Sequence, residues 1–418
     1  MRSLGWVFFL SWIAGCAAGS GGINTVEQRD KPTLILISID GFRWDYQDLY
    51  ETPTLDWIAE NGVRADALIP VFPTLTFPNH YSIATGLYPA NHKLIGNKFP
   101  SPDRSRFYSM GDWQAVQDGS WYGGRPIWVA AEENGMVSAA YYFVGTEAPV
   151  SNVPLTYWHR FDASVPGEAR VEKVIEWLSM SDDKRPHMIT LYFEDVDTAT
   201  HIHGPGSPES IAAIKRTDGH LQKLMTGIDN TAVADSTYVV VVSDHGQGTF
   251  IQDQPAFVIE DVANLDDMVV VDHGTSAFLY LQEPNPERAQ KVRDAINASW
   301  RHGKAYLRQD TPTDWHVPAD SDFADVILQA EAGYSVASTN SLVGHRNAGD
   351  HGWAQDDKDM HGIFLATGPR LPKGKRISKL NNIDVYPLMM EVLGLPITTP
   401  IDGSAKLLPD LLTPKVEF

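Results

Sequence analysis

The sequence is poor in cysteine. Its 418 residues include one, Cys16, so the body of the protein has no thiol for a disulfide, a zinc–thiolate centre or a cysteine nucleophile. Positive charge is also scarce: 33 Lys and Arg stand against 53 Asp and Glu, a formal net charge of −20. Neutralising a phosphate backbone needs clustered Lys and Arg, so an extended surface for duplex nucleic acid is excluded. The N-terminal apolar run, residues 4–13, falls short of the roughly 20 residues a membrane-spanning helix needs. There is no internal repeat and no low-complexity tract. What remains is 43% hydrophobic and 21% charged, a composition that buries a sizeable core.

The N-terminal run has the form of a signal peptide: Arg2 precedes the apolar stretch, and Ile13-Ala14-Gly15-Cys16 closes it. The small residues before Cys16 resemble the lipobox of bacterial lipoproteins, which would place a lipid on that cysteine. Plain secretion with cleavage near Ala17 or Ala18 is the alternative. Residues 1–15 are therefore expected to be a signal peptide and 16–30 a flexible tether. Export follows, to the periplasm or to the outer membrane of a bacterium, with membrane contact only through the lipid.

From residue 31 onward, apolar runs of strand length at 34–39, 138–143, 188–193 and 238–243 alternate with helical patterns at 54–61, 126–134 and 171–180. That alternation predicts an α/β fold with a central, mostly parallel sheet and helices on both faces. A later strand is expected at 362–366. Between about 255 and 338 the rhythm changes: strands at 268–271, 276–281 and 326–330, with a helix at 287–300, predict a small inserted α+β subdomain.

Several strands run straight into residues that ligate metals. The first ends at Asp40, the run at 188–193 is followed by Asp197 and His201, and that at 238–243 by Asp244-His245-Gly246. In open α/β sheets, sites form beyond the carboxyl ends of the strands, where these side chains converge. Asp350-His351-Gly352 forms a fourth cluster. Asp and His together suit Zn²⁺. A second feature is Thr76-Phe77-Pro78-Asn79-His80-Tyr81, where Pro78 fits a first helical turn and Gly86 a stop, with a helix over 79–85. Thr76 then reads as an N-cap, or as a nucleophile whose hydroxyl faces a metal, with helix N–H groups near a phosphoryl group.

Taken together, Ser38-Ile39-Asp40-Gly41-Phe42-Arg43, the Thr76 segment through Thr85-Gly86-Leu87-Tyr88-Pro89 and His92, and Ser243-Asp244-His245-Gly246 resemble the nucleotide pyrophosphatase/phosphodiesterase family of the alkaline phosphatase superfamily. Trp121-Tyr122-Gly123-Gly124-Arg125-Pro126, Asp197 with His201-Ile202-His203-Gly204-Pro205, and His351-Gly352-Trp353 extend the match over about residues 31–400. The resemblance implies an alkaline-phosphatase-like catalytic domain over 31–418, two Zn²⁺ ions and Thr76 as nucleophile. One zinc would be held by Asp40, Asp244 and His245 beside Thr76, the other by Asp197, His201 and His351. Asn97 matches the residue that donates to a phosphate oxygen. Phe77 matches an aromatic that stacks on the nucleotide base, and Phe161 falls where a stacking Tyr is common.

Asp-His-Gly occurs three times, at 244–246, 272–274 and 350–352. The middle copy reads as a turn in the inserted subdomain. His80, His92, His203 and His361 are alternative ligands by residue type. The resemblance implies cleavage of nucleotide phosphodiester or phosphoanhydride bonds to a nucleoside monophosphate. A phosphomonoesterase, a lipid or choline head-group diesterase, and a non-catalytic surface protein are the alternatives. The nucleophile motif holds no Lys or Arg for a doubly charged terminal phosphate, which favours a diester.

Overall fold

The computed structural model describes residues 22–339 and 347–413; the expected signal peptide, Cys16 and the start of the tether lie outside them. The rest of the tether differs from expectation. Asn24 is buried, its amide donates to the carbonyls of Asp182 and Arg185, and its side-chain oxygen accepts from the Val137 N–H. The folded body therefore begins near residue 24, because this one side chain satisfies three buried backbone groups.

Strand β1 (Thr33–Ile39) is buried along its whole length. Leu34 and Leu36 face one core, and Ile35, Ile37 and Ile39 the other. A strand covered on both faces shows no polar side, which is why it reads as one apolar run. The other strands of the two larger sheets are β2 (Gly62–Ala65), β3 (Ser138–Tyr141), β4 (Tyr157–His159), β5 (Met188–Phe193), β6 (Thr237–Val242), β7 (Met268–Asp272), β8 (Ser276–Leu281), β9 (Gly303–Leu307), β10 (Val326–Ala330), β11 (Phe364–Thr367) and β12 (Lys375–Ile377).

The main sheet runs β12-β2-β11-β6-β1-β5-β3-β4. Neighbouring strands are parallel except β11, which is antiparallel to both β6 and β2. On one face pack helices α1 (Pro53–Glu60), α4 (Gly167–Leu178) and α6 (Pro208–Asp229); on the other pack α2 (Thr76–Thr85), α3 (Ile127–Glu133) and α8 (Val385–Leu393). Helix α5 (Asp195–His203) follows β5 directly, and α7 (Pro286–Ser299) packs with β7, β8, β9 and β10, which form a separate four-stranded antiparallel sheet with its own core.

Several expectations shift. β3 stops at Tyr141, because Tyr142 and Phe143 turn to φ 68° and 142°. The strand expected at 362–366 lies at 364–367 and runs against the others. Its start therefore lies at the carboxyl edge of the parallel strands, the edge that carries Asp40 and Asp244. α2 begins at Thr76, three residues earlier than expected, with Leu75 as N-cap. α5, α6, α8, β2, β4, β9 and β12 are additions; α6 carries a start signal, Ser207 as N-cap accepting from the Ser210 N–H with Pro208 behind it.

Candidate active site

β1, β5 and β6 end together. Ser38 pairs with Tyr192 and with Val242 across the sheet, so Asp40, α5 and Asp244 emerge at one edge. Asp197 and His201, four residues apart on α5, share a helix face; Asp197 Oδ1 lies 3.3 Å from His201 Nε2 and 4.0 Å from His351 Nε2. Asp244 Oδ2 lies 2.9 Å and Asp40 Oδ1 3.6 Å from His245 Nε2. Two sets of ligand atoms result, each within 4.8 Å: Asp40, Asp244 and His245, and Asp197, His201 and His351. The His245 and His351 rings stack, with centroids 3.6 Å apart.

The histidines aim one nitrogen inward because the other is tied down. His245 Nδ1 faces Gly246 O at 3.0 Å, His351 Nδ1 faces Thr74 O at 2.9 Å, and His201 Nδ1 faces Gly349 O at 3.0 Å. A carbonyl only accepts, so Nδ1 carries the proton and Nε2 presents a lone pair. Those lone pairs point at carboxylates, and Asp40 Oδ1 and Asp244 Oδ2 are buried without a hydrogen-bond donor. Buried acceptors facing acceptors need a cation between them. The donor chemistry of both sets therefore fits a divalent ion.

Charge is contested throughout. Burial, then the charges of Asp244 and Asp197, push the Asp40 carboxyl well above the ordinary range. Burial also pushes Asp244 up, but His245 and His80 outweigh it and hold that carboxyl well below. Burial works against a second proton on His201, yet the hydrogen bond that a protonated Nε2 makes to Asp197 lifts the imidazole to about 9; a bound cation would take the place of that proton. Burial, with the His245 charge adding to it, drives His351 down to about 3.

Thr76 is the first residue of α2, and its Oγ1 lies 3.3 Å from His245 Nε2. It makes no capping hydrogen bond, so the N-cap reading is wrong: the cap position belongs to Leu75. The helix end also offers fewer donors than expected. The Phe77 N–H is taken by Asn97 Oδ1 at 2.9 Å, and Pro78 has none. That bond fixes the Asn97 amide and leaves its Nδ2 as the donor. A cavity of about 390 Å³ opens from Asp40, Thr76 and Asp197 to Phe77, Met110, Tyr142, Phe143, Glu147, Phe161 and Tyr192. Phe77 and Phe161 share it, Phe161 being 45% exposed. Among the described residues lining it there is no Lys or Arg.

The alternative histidines fall elsewhere. His80 Nδ1 donates to Thr76 O at 2.9 Å and lies 3.3 Å from Asp244 Oδ2, while Ser38 donates to its Nε2. It supports the first set from behind. His92 is buried against Ser82, His203 is exposed, and His361 faces Gln355 O. The middle Asp-His-Gly is the β7–β8 turn, with the Gly274 N–H donating to Asp272 Oδ1. Two further neighbours lie outside the sequence motifs. Tyr192 donates to Asp40 Oδ2 at 2.6 Å, and Gln247 donates to Asp197. The strand register that puts Tyr192 beside Ser38 could have indicated the first; nothing local indicates the second.

The fold and this strand-edge site define an alkaline-phosphatase-like α/β protein. Residues 34–354 match the family model described as type I phosphodiesterase / nucleotide pyrophosphatase, and the chain belongs to that family. It is 32% identical over 411 residues to venom phosphodiesterase CdcPDE of Crotalus durissus collilineatus, covering 94% of this chain and 48% of that protein, so it spans about half the length of that relative. With human ectonucleotide pyrophosphatase/phosphodiesterase family member 5 it is 30% identical over 386 residues, covering 92% of this chain and 79% of the relative. The solved structure of the human member 5 superposes with a TM-score of 0.85 at 29% identity, covering 91% of this chain and all of that one. A murine structure, described as an inactive threonine-to-alanine variant in complex with AMP, matches with a TM-score of 0.84 at 27% identity, covering 92% of this chain and all of that one.

Proposed function

We propose that this protein is a zinc-dependent phosphodiesterase and nucleotide pyrophosphatase that releases a nucleoside monophosphate through a covalent intermediate on Thr76. The observation that carries the reading is the placement of an uncapped threonine hydroxyl beside one Asp/His set, at the mouth of a cavity that reaches the other. Asp40, Asp244 and His245 would hold one Zn²⁺, and Asp197, His201 and His351 the second. When bound, the ions lower the pKa of the attacking hydroxyl and water and neutralise the oxygens of an in-line displacement.

Thr76 Oγ1 attacks phosphorus and expels the leaving group, leaving a phosphothreonine ester; water then breaks that ester and releases the monophosphate. Asn97 Nδ2 donates to a non-bridging oxygen, its orientation set by the Phe77 N–H. Phe77 and Phe161 flank the apolar end of the cavity and suit a nucleobase. The absence of Lys and Arg among the described residues of the cavity wall supports a diester over a terminal phosphate. The AMP in the murine relative supports a nucleotide here, and the venom and mammalian relatives are named for the same chemistry. Exported placement, with a lipid on Cys16, completes the proposal.

The test is turnover of p-nitrophenyl thymidine monophosphate against p-nitrophenyl phosphate, with and without a chelator. The diester should be hydrolysed faster, and the chelator should abolish both rates. A faster monoester would overturn the diesterase reading, and full activity after chelation would overturn the metal.

A further inference from the structure

Gln247 belongs to neither set of ligands, yet it follows one along the chain and bonds the other. It sits two residues after His245 and is fully buried. Its side chain crosses to the other set, where Nε2 donates to Asp197 Oδ1, with Asp197 O also 3.3 Å away. Asp197 Oδ1 is the same oxygen that faces the Nε2 atoms of His201 and His351. One lone pair of that oxygen is thereby used by the amide, and the other remains for an ion.

The surroundings are shaped for this crossing. Gly41, which follows Asp40, has φ +68°, and a Cβ there would lie 2.9 Å from Gln247 Nε2 and 3.0 Å from Asp197 Cα and Cβ. The next residue, Gly248, pairs with Asp350 in a short antiparallel ladder. The backbone around Gln247 is thus anchored to His245 on one side and to the residue before His351 on the other. Arg43 adds a bond to Gln247 O at 3.4 Å.

We propose that Gln247 is a positioning residue that ties the two sets together, holding Asp197 in its ligating rotamer from a backbone fixed next to His245. It does not touch substrate. Outer-shell partners of this kind are worth about 10–100-fold in metal affinity. The inference rests on the zinc reading above, and the same titration separates the two.

The experiment is competition between the full zinc-loaded chain and a chromophoric chelator, resolving both zinc affinities, with the melting midpoint of the metal-free protein alongside. Wild type holding two zinc ions supports the zinc reading, and wild type holding none refutes it. Gln247→Met fills the same space without a donor. It should weaken one zinc by about 10–100-fold and leave the other near wild type, with the metal-free midpoint unchanged. Gln247→Asn keeps an amide one methylene too short to reach Asp197, and should reproduce that split if the Met variant does not fold. Two unchanged affinities would overturn the proposal. So would an equal fall at both sites accompanied by a lower metal-free midpoint, because that is general loosening.

Discussion

Thr76 occupies the first turn of α2 without capping it, and this sets what the residue can do. A threonine hydroxyl beside His245 Nε2 is a weak nucleophile until its proton is made easier to lose, which is the role of an adjacent cation. Thr76→Ala should keep the zinc content of wild type and lose turnover by roughly 10³-fold or more, as metal analysis and steady-state rates on the diester would show. The three Asp-His-Gly copies separate at the same scale. His351→Ala should lose one zinc and the activity. His273→Ala should keep both zinc ions, although His273 is half-buried near Gly96 and its loss lowers the melting midpoint. The tripeptide alone does not tell the copies apart; the middle one, read as a turn from its place in the sequence, is the β7–β8 turn.

At the scale of the element, α2 carries both Thr76 and the packing that orients it. Ser82 on its buried face bonds His92 Nε2 at 2.9 Å, and the Leu94 N–H donates to His92 Nδ1, so the neutral ring is the one that fits. Burial drives this imidazole down to about 3, against about 6.5 in an unfolded chain. Above pH 6.5 the histidine is neutral in both states. As pH falls from 6.5 toward 3 the unfolded chain takes a proton that the folded one refuses, and stability is lost. The melting midpoint should therefore drop between pH 6.5 and 5, where ordinary carboxylates remain ionised. His92→Gln should show a shallower drop over the same interval; an unchanged slope would remove His92 from the account. Elements also mark the limit of sequence reading. β1, β5 and β6 were legible because strands buried on both faces are unbroken apolar runs. The antiparallel sense of β11 was not, since strand direction is a property of the whole sheet. β9 (Gly303–Leu307) carries Gly and Lys, and α6 alternates a buried stripe with a charged face, so neither reads as a core run.

At the scale of the molecule, an acidic chain and a phosphate substrate look incompatible until charge is counted locally. Two Zn²⁺, if held as proposed with Asp40, Asp197 and Asp244, would leave about one positive charge at the cavity before Thr76 ionises, while the formal net charge of −20 still disfavours long nucleic acid. Asp40, Asp197, His201, Asp244 and His245 were legible as residues following strand ends, whereas the grouping of the six expected ligands and the role of Thr76 were implied only by the family resemblance. The ties between them were not legible, because Tyr192 and Gln247 act across the sheet rather than along the chain. The central claim is a double displacement through Thr76, and stereochemistry at phosphorus tests it most directly. With a chiral phosphorothioate diester and labelled water, two in-line steps at one phosphorus predict overall retention of configuration. Overall inversion would mean that water attacks the diester directly, and would contradict the account.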